Sequence, residues 1–184
     1  VLRTRAGYAG GTTESPTYRN IGDHTEAVSI DFDPTVVRYE DLLERFWEAH
    51  RCGSAGGQGQ YMVAVFYHNE GQRKVAEKSR AKAAKKEGIA EAEVATKVLP
   101  LGSFTYAEAY HQKHYLTRHS DVREFLEETY PTAKELADST VATRLNAFLG
   151  WGFERDGAVL EKEIGGYGLP EGLKKDVLAR VRKP

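Results

Sequence analysis

The only thiol, Cys52, is the first candidate for chemistry. It stands in the Gly-rich stretch Arg51–Gly59, directly after His50 and Arg51. Positive charge on those neighbours favours the thiolate, the form that attacks electrophiles. An inert loop cysteine is the competing reading. His111 and His114 stand three apart, with Glu108 three before the first, which is metal-ligand spacing if the segment is helical. His24 lies two before Glu26, so the two could work as a base–acid pair. A histidine bound to loop backbone is the alternative. Gly150-Trp151-Gly152 and Gly165-Gly166-Tyr167-Gly168 follow no strand, so they read as turn glycines rather than a phosphate cradle.

These residues need elements to position them. Residues 1–9 alternate small or β-branched with polar side chains and read as a strand already under way at Val1. Something upstream is therefore expected, against the alternative of a mature chain that opens on a strand. Gly10–Pro16 is a loop. Glu26–Phe32 alternates, with Ala27, Ser29 and Asp31 opposing Val28, Ile30 and Phe32, which predicts a half-buried strand. Tyr39–His50 is a helix with Leu42, Leu43, Phe46 and Trp47 on its core face. Gln60–Tyr67 is a near-continuous apolar strand, as expected for a central position. Glu70–Lys86 is a Lys- and Ala-rich exposed helix closed by Gly88. Glu93–Leu99 is a strand and 104–117 a short helix rich in aromatics and histidines. Further helices are expected over Val122–Glu128, Ser139–Leu149, Gly157–Glu163 and Pro170–Arg182. The boundary falls near residue 120: a mixed strand–helix domain over 1–120 and a helical extension over 121–184.

Composition narrows the function classes. Lys plus Arg is 26 and Asp plus Glu 27, a net charge of −1, which argues against a nucleic-acid or membrane-surface role. The longest strongly apolar run, Met62–Tyr67, is too short for a membrane-spanning helix. One cysteine excludes an internal disulfide and a Cys-rich metal site within these residues. A cytoplasmic home is the default, with an organelle still open.

Several segments then fit together. They are Gly7-Tyr8-Ala9-Gly10-Gly11, Pro16-Thr17-Tyr18-Arg19, Gly22-Asp23-His24-Thr25-Glu26-Ala27-Val28, Phe46-Trp47-Glu48-Ala49-His50 and Gln60-Tyr61-Met62-Val63-Ala64. The last is Tyr106-Ala107-Glu108-Ala109-Tyr110-His111-Gln112-Lys113-His114-Tyr115-Leu116. In this order and spacing they resemble peptide methionine sulfoxide reductase of the A type, over roughly residues 1–117.

The resemblance implies an α/β fold, a two-layer α+β sandwich around a mixed sheet, here with a small helical C-terminal extension. It implies an oxidoreductase that reduces the S epimer of methionine sulfoxide, free or in proteins. A cysteine or selenocysteine attacks sulfur, and a resolving cysteine with thioredoxin, or another thiol, restores it. By motif, Glu26 matches the acid that protonates the sulfoxide oxygen, and Tyr18 and Tyr61 match the tyrosines that hold it. Such an acid must be protonated near neutrality, so Glu26 is expected in a dehydrated setting beside aromatics. No bound cofactor or metal is implied; the segment with His111 and His114 becomes a structural helix. The partners implied are methionine sulfoxide and thioredoxin, with a monomeric enzyme.

Two departures stand out. The family's Gly-Cys-Phe-Trp segment lies about twenty residues before the Gly-Tyr-Ala-Gly-Gly motif, which here begins at Gly7. The nucleophile segment is therefore expected upstream, and the chain as given is expected to be inactive without it. A non-catalytic methionine-sulfoxide-binding paralogue is the alternative. Many members also carry Asp-Pro after the helix-ending His and a buried Asp before Gln-Tyr. Here Arg51-Cys52 and Gly56 stand at those places. Cys52 becomes a candidate resolving thiol or, less readily, a substitute nucleophile.

Overall fold

The structure, a computed structural model, describes residues 1–54, 57, 59–150 and 157–182. It divides into two compact units. One comprises Val1 and Ala6–Glu108, the other Leu2–Arg5 and Ala109–Pro184. None of the helices described is long and apolar enough to cross a membrane.

In the first unit, β1 (Arg3–Ala9), β2 (Thr25–Asp31) and β5 (Phe104–Tyr106) form a sheet in the order β2-β1-β5. β1 and β5 run antiparallel, with Gly7 opposite Tyr106 and Ala9 opposite Phe104. A Cβ on Gly7 would stand 2.3 Å from Cζ of Phe104, so only glycine lets that ring lie against the strand. A second sheet pairs β3 (Ala64–Tyr67) with β4 (Lys97–Pro100) in parallel. The α/β class is as expected, but its strands form two small sheets instead of one mixed sheet.

Helix α1 (Tyr39–Glu48) buries Leu43 against Val65 and Ala76, with Tyr39, Phe46 and Trp47 packed around them. That is the 3.6-residue stripe its sequence predicts. Helix α2 (Glu70–Glu87) starts where the Asn69 side chain accepts from Gln72 N and ends at Gly88, whose φ of 71° gives the left-handed turn.

One expectation is corrected. The start of 104–117 is strand β5, because Phe104 and Tyr106 pair with β1; two short 3₁₀ turns, Ala109–His111 and Leu116–Arg118, follow instead of a helix. β2 is half-buried, as its alternation predicts, and the inward face is the one with Ala27, Ser29 and Asp31. Thr25 is buried and Ala27, Ser29 and Asp31 are half-buried, while Val28 and Ile30 are exposed. The Thr25 hydroxyl donates to Gln60 O at 2.8 Å, which fixes the register. In a period-two element one anchored residue decides every other.

The second unit is helical: α3 (Ser120–Thr129), α4 (Ala133–Asp138), α5 (Thr140–Leu149), α6 (Gly157–Glu163) and α7 (Glu171–Arg182). Its core gathers Leu116, Val122, Leu126, Leu145, Leu160 and Val177. Helix α4 was not foreseen. Its start is a capping box, in which Thr132 accepts from Glu135 N and Glu135 reaches back to Thr132 N. The 3₁₀ turn Ile164–Tyr167 and Gly168, with φ of 71°, supply the expected glycine turn. Trp151 and Gly152 lie outside the described residues.

Candidate functional site

Residues from three distant stretches meet in the first unit. β2 contributes Glu26 at its second position. The next stretch, Gly59–Tyr61, is a 3₁₀ turn. Its Gln60 Nε2 donates to Glu26 Oε1 at 2.6 Å, and its Gln60 O is held by Thr25 Oγ1. The carboxylate is thus tied to the turn that presents Tyr61. The third stretch is the loop between β1 and β2, which carries Tyr18. The Tyr61 phenol is pushed above its ordinary pKa, first by the neighbouring Tyr18 phenol, then by loss of solvent, then by the Glu26 carboxylate. Tyr61 therefore sits within electrostatic reach of both Tyr18 and Glu26.

The loop around Tyr18 is organised by polar groups. Asp23 accepts hydrogen bonds from the backbone and hydroxyls of Thr12 and Thr13, which holds its carboxyl far below the usual range. His24 is buried. Its Nδ1 accepts from Gly11 N, so Nε2 carries the proton and donates to Thr13 O at 2.9 Å. His24 is therefore bonded to loop backbone and is not the partner of Glu26. Tyr18 N donates to Glu108 Oε1 at 2.9 Å, and Tyr8 Oη donates to Glu108 Oε2 at 2.6 Å.

Glu26 itself is exposed, not dehydrated as the sequence led us to expect. The alternation of β2 explains this, since Glu26 shares its exposed side with Val28 and Ile30. Tyr18 and Tyr61 are also exposed, at 43% and 61%. Along β2 the site continues into a cleft of about 450 Å³ lined by Ala27, Val28, Ile30, Phe46, Met62 and Phe66. Glu26 lines that cleft, and a carboxyl group there with phenols near it can hold and protonate a strong acceptor oxygen whose substituents are apolar.

Cys52 is built differently from expectation. It is buried, and its backbone N donates to Glu87 Oε1 at 2.8 Å while its carbonyl accepts from Ala95 N. Burial and the Glu87 carboxylate push the thiol up, away from the thiolate. His50 gives it no activation. Its Nδ1 bonds to Phe46 O, its Nε2 to Thr96 Oγ1, and its ring packs on Phe46 and Trp47. Gly56, at the place of the family's buried Asp, lies outside the described residues. The helix that would have placed Glu108, His111 and His114 on one face does not form.

Sequence reasoning missed Thr25, Gln60, Tyr8 and Glu108 as partners of the three site residues. Glu108 has no local signal: its partners lie 90 and 100 residues away. Thr25 and Gln60 stand inside the quoted segments, where position could be read but not bonding.

Comparison with known proteins places this arrangement in context. A family model described as peptide methionine sulfoxide reductase matches residues 1–144. A peptide methionine sulfoxide reductase of Drosophila melanogaster is 43% identical over 150 residues, which are 81% of this chain and 59% of that protein. Peptide methionine sulfoxide reductase MsrA of Bacillus licheniformis is 44% identical over 124 residues, 62% of this chain and 68% of that one. The chain thus spans well under two thirds of the fly relative's length. Among solved structures, reduced Mxr1 from Saccharomyces cerevisiae matches with a TM-score of 0.56 at 26% identity, covering 64% of this chain and 71% of that one.

Proposed function

Because the chain belongs to the peptide methionine sulfoxide reductase family, with relatives of the A type, we propose that Glu26, Tyr18 and Tyr61 bind and protonate the oxygen of methionine sulfoxide during its reduction. The S epimer, free or within a protein, is the form assigned. The observation that carries this reading is the meeting of one carboxyl and two phenols from segments 18, 26 and 61 beside an apolar cleft.

The chemistry asks for these types. As a thiolate attacks the sulfoxide sulfur, the S–O bond breaks and oxygen gains basicity. A protonated carboxyl at Glu26 supplies the proton, and two O–H donors stabilise charge on the way. With Gln60 holding Oε1, Oε2 is the oxygen left to carry that proton. Glu26 is exposed, and a bound apolar substrate would remove water around it. The hydroxyl formed by that protonation passes to the attacking sulfur as the new S–S bond breaks, which leaves methionine and a sulfenic acid. A first external thiol converts the sulfenic acid to a mixed disulfide with release of water, and a second thiol frees the enzyme. Thioredoxin, or another thiol, fills that role.

The attacking sulfur is assigned to a segment outside these 184 residues. Cys52 suits neither attack nor resolution, being 1% exposed and pushed away from the thiolate. The same burial supports a second reading, a methionine-sulfoxide-binding paralogue with no chemistry of its own. Binding is common to both, so it is tested first. A peptide containing methionine-S-sulfoxide should bind the chain, and binding should be lost in Glu26→Ala. Failure to bind overturns both readings. A chain extended by a Gly-Cys-Phe-Trp segment should then reduce the peptide with dithiothreitol, and Glu26→Gln should slow it about 10²–10⁴-fold. Binding without reduction by that extended chain leaves the paralogue reading.

A further inference from the structure

We propose that Glu108 is a positioning residue of the site: its carboxylate, steadied by the buried Tyr8 phenol, clamps the backbone of Tyr18 and so sets where the Tyr18 phenol stands. The inference deepens the sulfoxide-binding reading and rests on it for its substrate, though not for its geometry.

Tyr8 lies on β1 and is 1% exposed. Glu108 follows β5 by two residues. The β1–β5 register, extended by Ala107 N donating to Ala6 O at 3.0 Å, fixes both on one rigid pair of strands. One carboxylate oxygen accepts the Tyr8 hydroxyl and the other accepts Tyr18 N. A carboxylate that joins a buried phenol to a loop amide acts as a strut between sheet and loop. The loop's other restraints act at a distance from Tyr18 or within its own turn. Asp23 and His24 gather Thr12, Thr13 and Gly11, and Thr17 pairs with Asn20. The bond to Glu108 ties the residue itself to the end of β5. Tyr18 is an exposed aromatic on a surface loop, and without a tether its ring would be spread over many positions. Pre-organised donors hold a developing charge better than mobile ones.

Shape and charge are separable here. Glutamine at 108 keeps the reach; its carbonyl can accept from Tyr18 N while its amide donates to the Tyr8 oxygen. Aspartate keeps the charge but falls short by about one C–C bond, 1.5 Å. A strut therefore predicts that Glu108→Gln is tolerated and that Glu108→Asp and Glu108→Ala are not.

The test reads the Tyr61 phenol by NMR titration of Tyr Cζ, with no substrate present. Tyr18→Phe sets the reference, since it removes the foremost influence on Tyr61. Glu108→Ala and Glu108→Asp should move the Tyr61 midpoint down, toward that reference, and Glu108→Gln should leave it near wild type. Tyr8→Phe should give an intermediate shift, and it stands in if Glu108→Ala does not fold. Binding of a methionine-S-sulfoxide peptide should weaken about tenfold in Glu108→Asp, the weight of one charge-assisted hydrogen bond. It should stay within about twofold in Glu108→Gln. An unmoved Tyr61 midpoint in folded Glu108→Asp and Tyr8→Phe overturns the strut. Loss in Glu108→Gln with retention in Glu108→Asp overturns it too, because charge rather than reach would then be the cause. If the wild-type chain binds no sulfoxide but the midpoints shift as described, the strut stands and the sulfoxide reading falls.

Discussion

Leu43, Val65 and Ala76 form the buried apolar cluster of the sheet-bearing unit, whereas the helical unit gathers Leu116, Leu126, Leu145, Leu149, Leu160 and their neighbours. In the first unit most other buried apolar residues are small, such as Ala9, Ala83 and Ala84. Its larger apolar side chains, Val28, Ile30, Met62 and Phe66, line an open cleft instead. What orders that unit near the site is polar: the Asp23 carboxylate with two threonines, His24 across the loop, Thr25 on Gln60 O and Glu108 between two tyrosines. One unit concentrates apolar packing and the other concentrates directed hydrogen bonds. Chemistry on an acceptor oxygen needs the second kind of order, because donors must point, while fold stability draws on the first.

The contrast is broken most forcefully in the helical core. Leu145 on α5 is fully buried among Leu and Val side chains. Leu145→Ala should cost about 2–5 kcal/mol, the range for a leucine truncated in a packed core. Urea unfolding followed by far-UV circular dichroism measures it. A cost below about 1 kcal/mol would show that this core is loosely packed.

A polar feature within the same helical unit sharpens the point. Lys113 is 5% exposed, and its Nζ donates to Thr4 O and Thr143 Oγ1, each at 2.6 Å. Arg5 and Asp138, an ion pair, are the charged groups beside it. Burial, then Arg5, lowers its pKa to about 8, with Asp138 opposing. The unfolded value is about 10.4. Between these values the unfolded chain binds more protons at this site, so stability rises with pH across that window. Below about 8 both states are charged and the burden of the buried ammonium is fully present. Lys113→Met removes this dependence. The stability of wild type minus that of the variant should therefore increase from pH 8 to pH 10 and stay flat from pH 6 to pH 7.5. Urea midpoints across that range check it, and a flat difference throughout would show an ordinary solvated lysine.

How much of this was legible in the sequence follows from the range of the interactions involved. Helices α1, α2 and α5 were, because apolar spacing and capping residues act within a few positions. The gathering of residues 18, 26 and 61 was carried by the order of several motifs, not by periodicity. Their local environments were not legible. Exposure of Glu26 depends on which face of β2 turns inward, and Thr25 decides that by bonding 35 residues ahead. The surroundings of Cys52 depend on Glu87, equally far along the chain, so the adjacent His50 and Arg51 misled. β5 is too short to show a period and becomes a strand only by pairing with β1. Helix α4, six residues long, is set by its cap rather than by an apolar stripe.

The smallest effect tests which face of β2 is exposed. Alternation alone places Ile30 on the buried face of β2, where replacing it with a polar residue would cost several kcal/mol. In the structure Ile30 is 41% exposed at the cleft and Ser29 is the half-buried neighbour. Ile30→Thr keeps the β-branched shape that suits a strand and adds a hydroxyl that water can reach. Stability should therefore change by no more than about 0.5 kcal/mol, as for most surface positions. The same variant makes the cleft wall more polar beside Glu26, so any weakening of sulfoxide-peptide binding should exceed the change in stability. A loss of 2 kcal/mol or more in urea unfolding would mean that Ile30 packs inward. Glu26, on the same side of the strand, would then be buried with it.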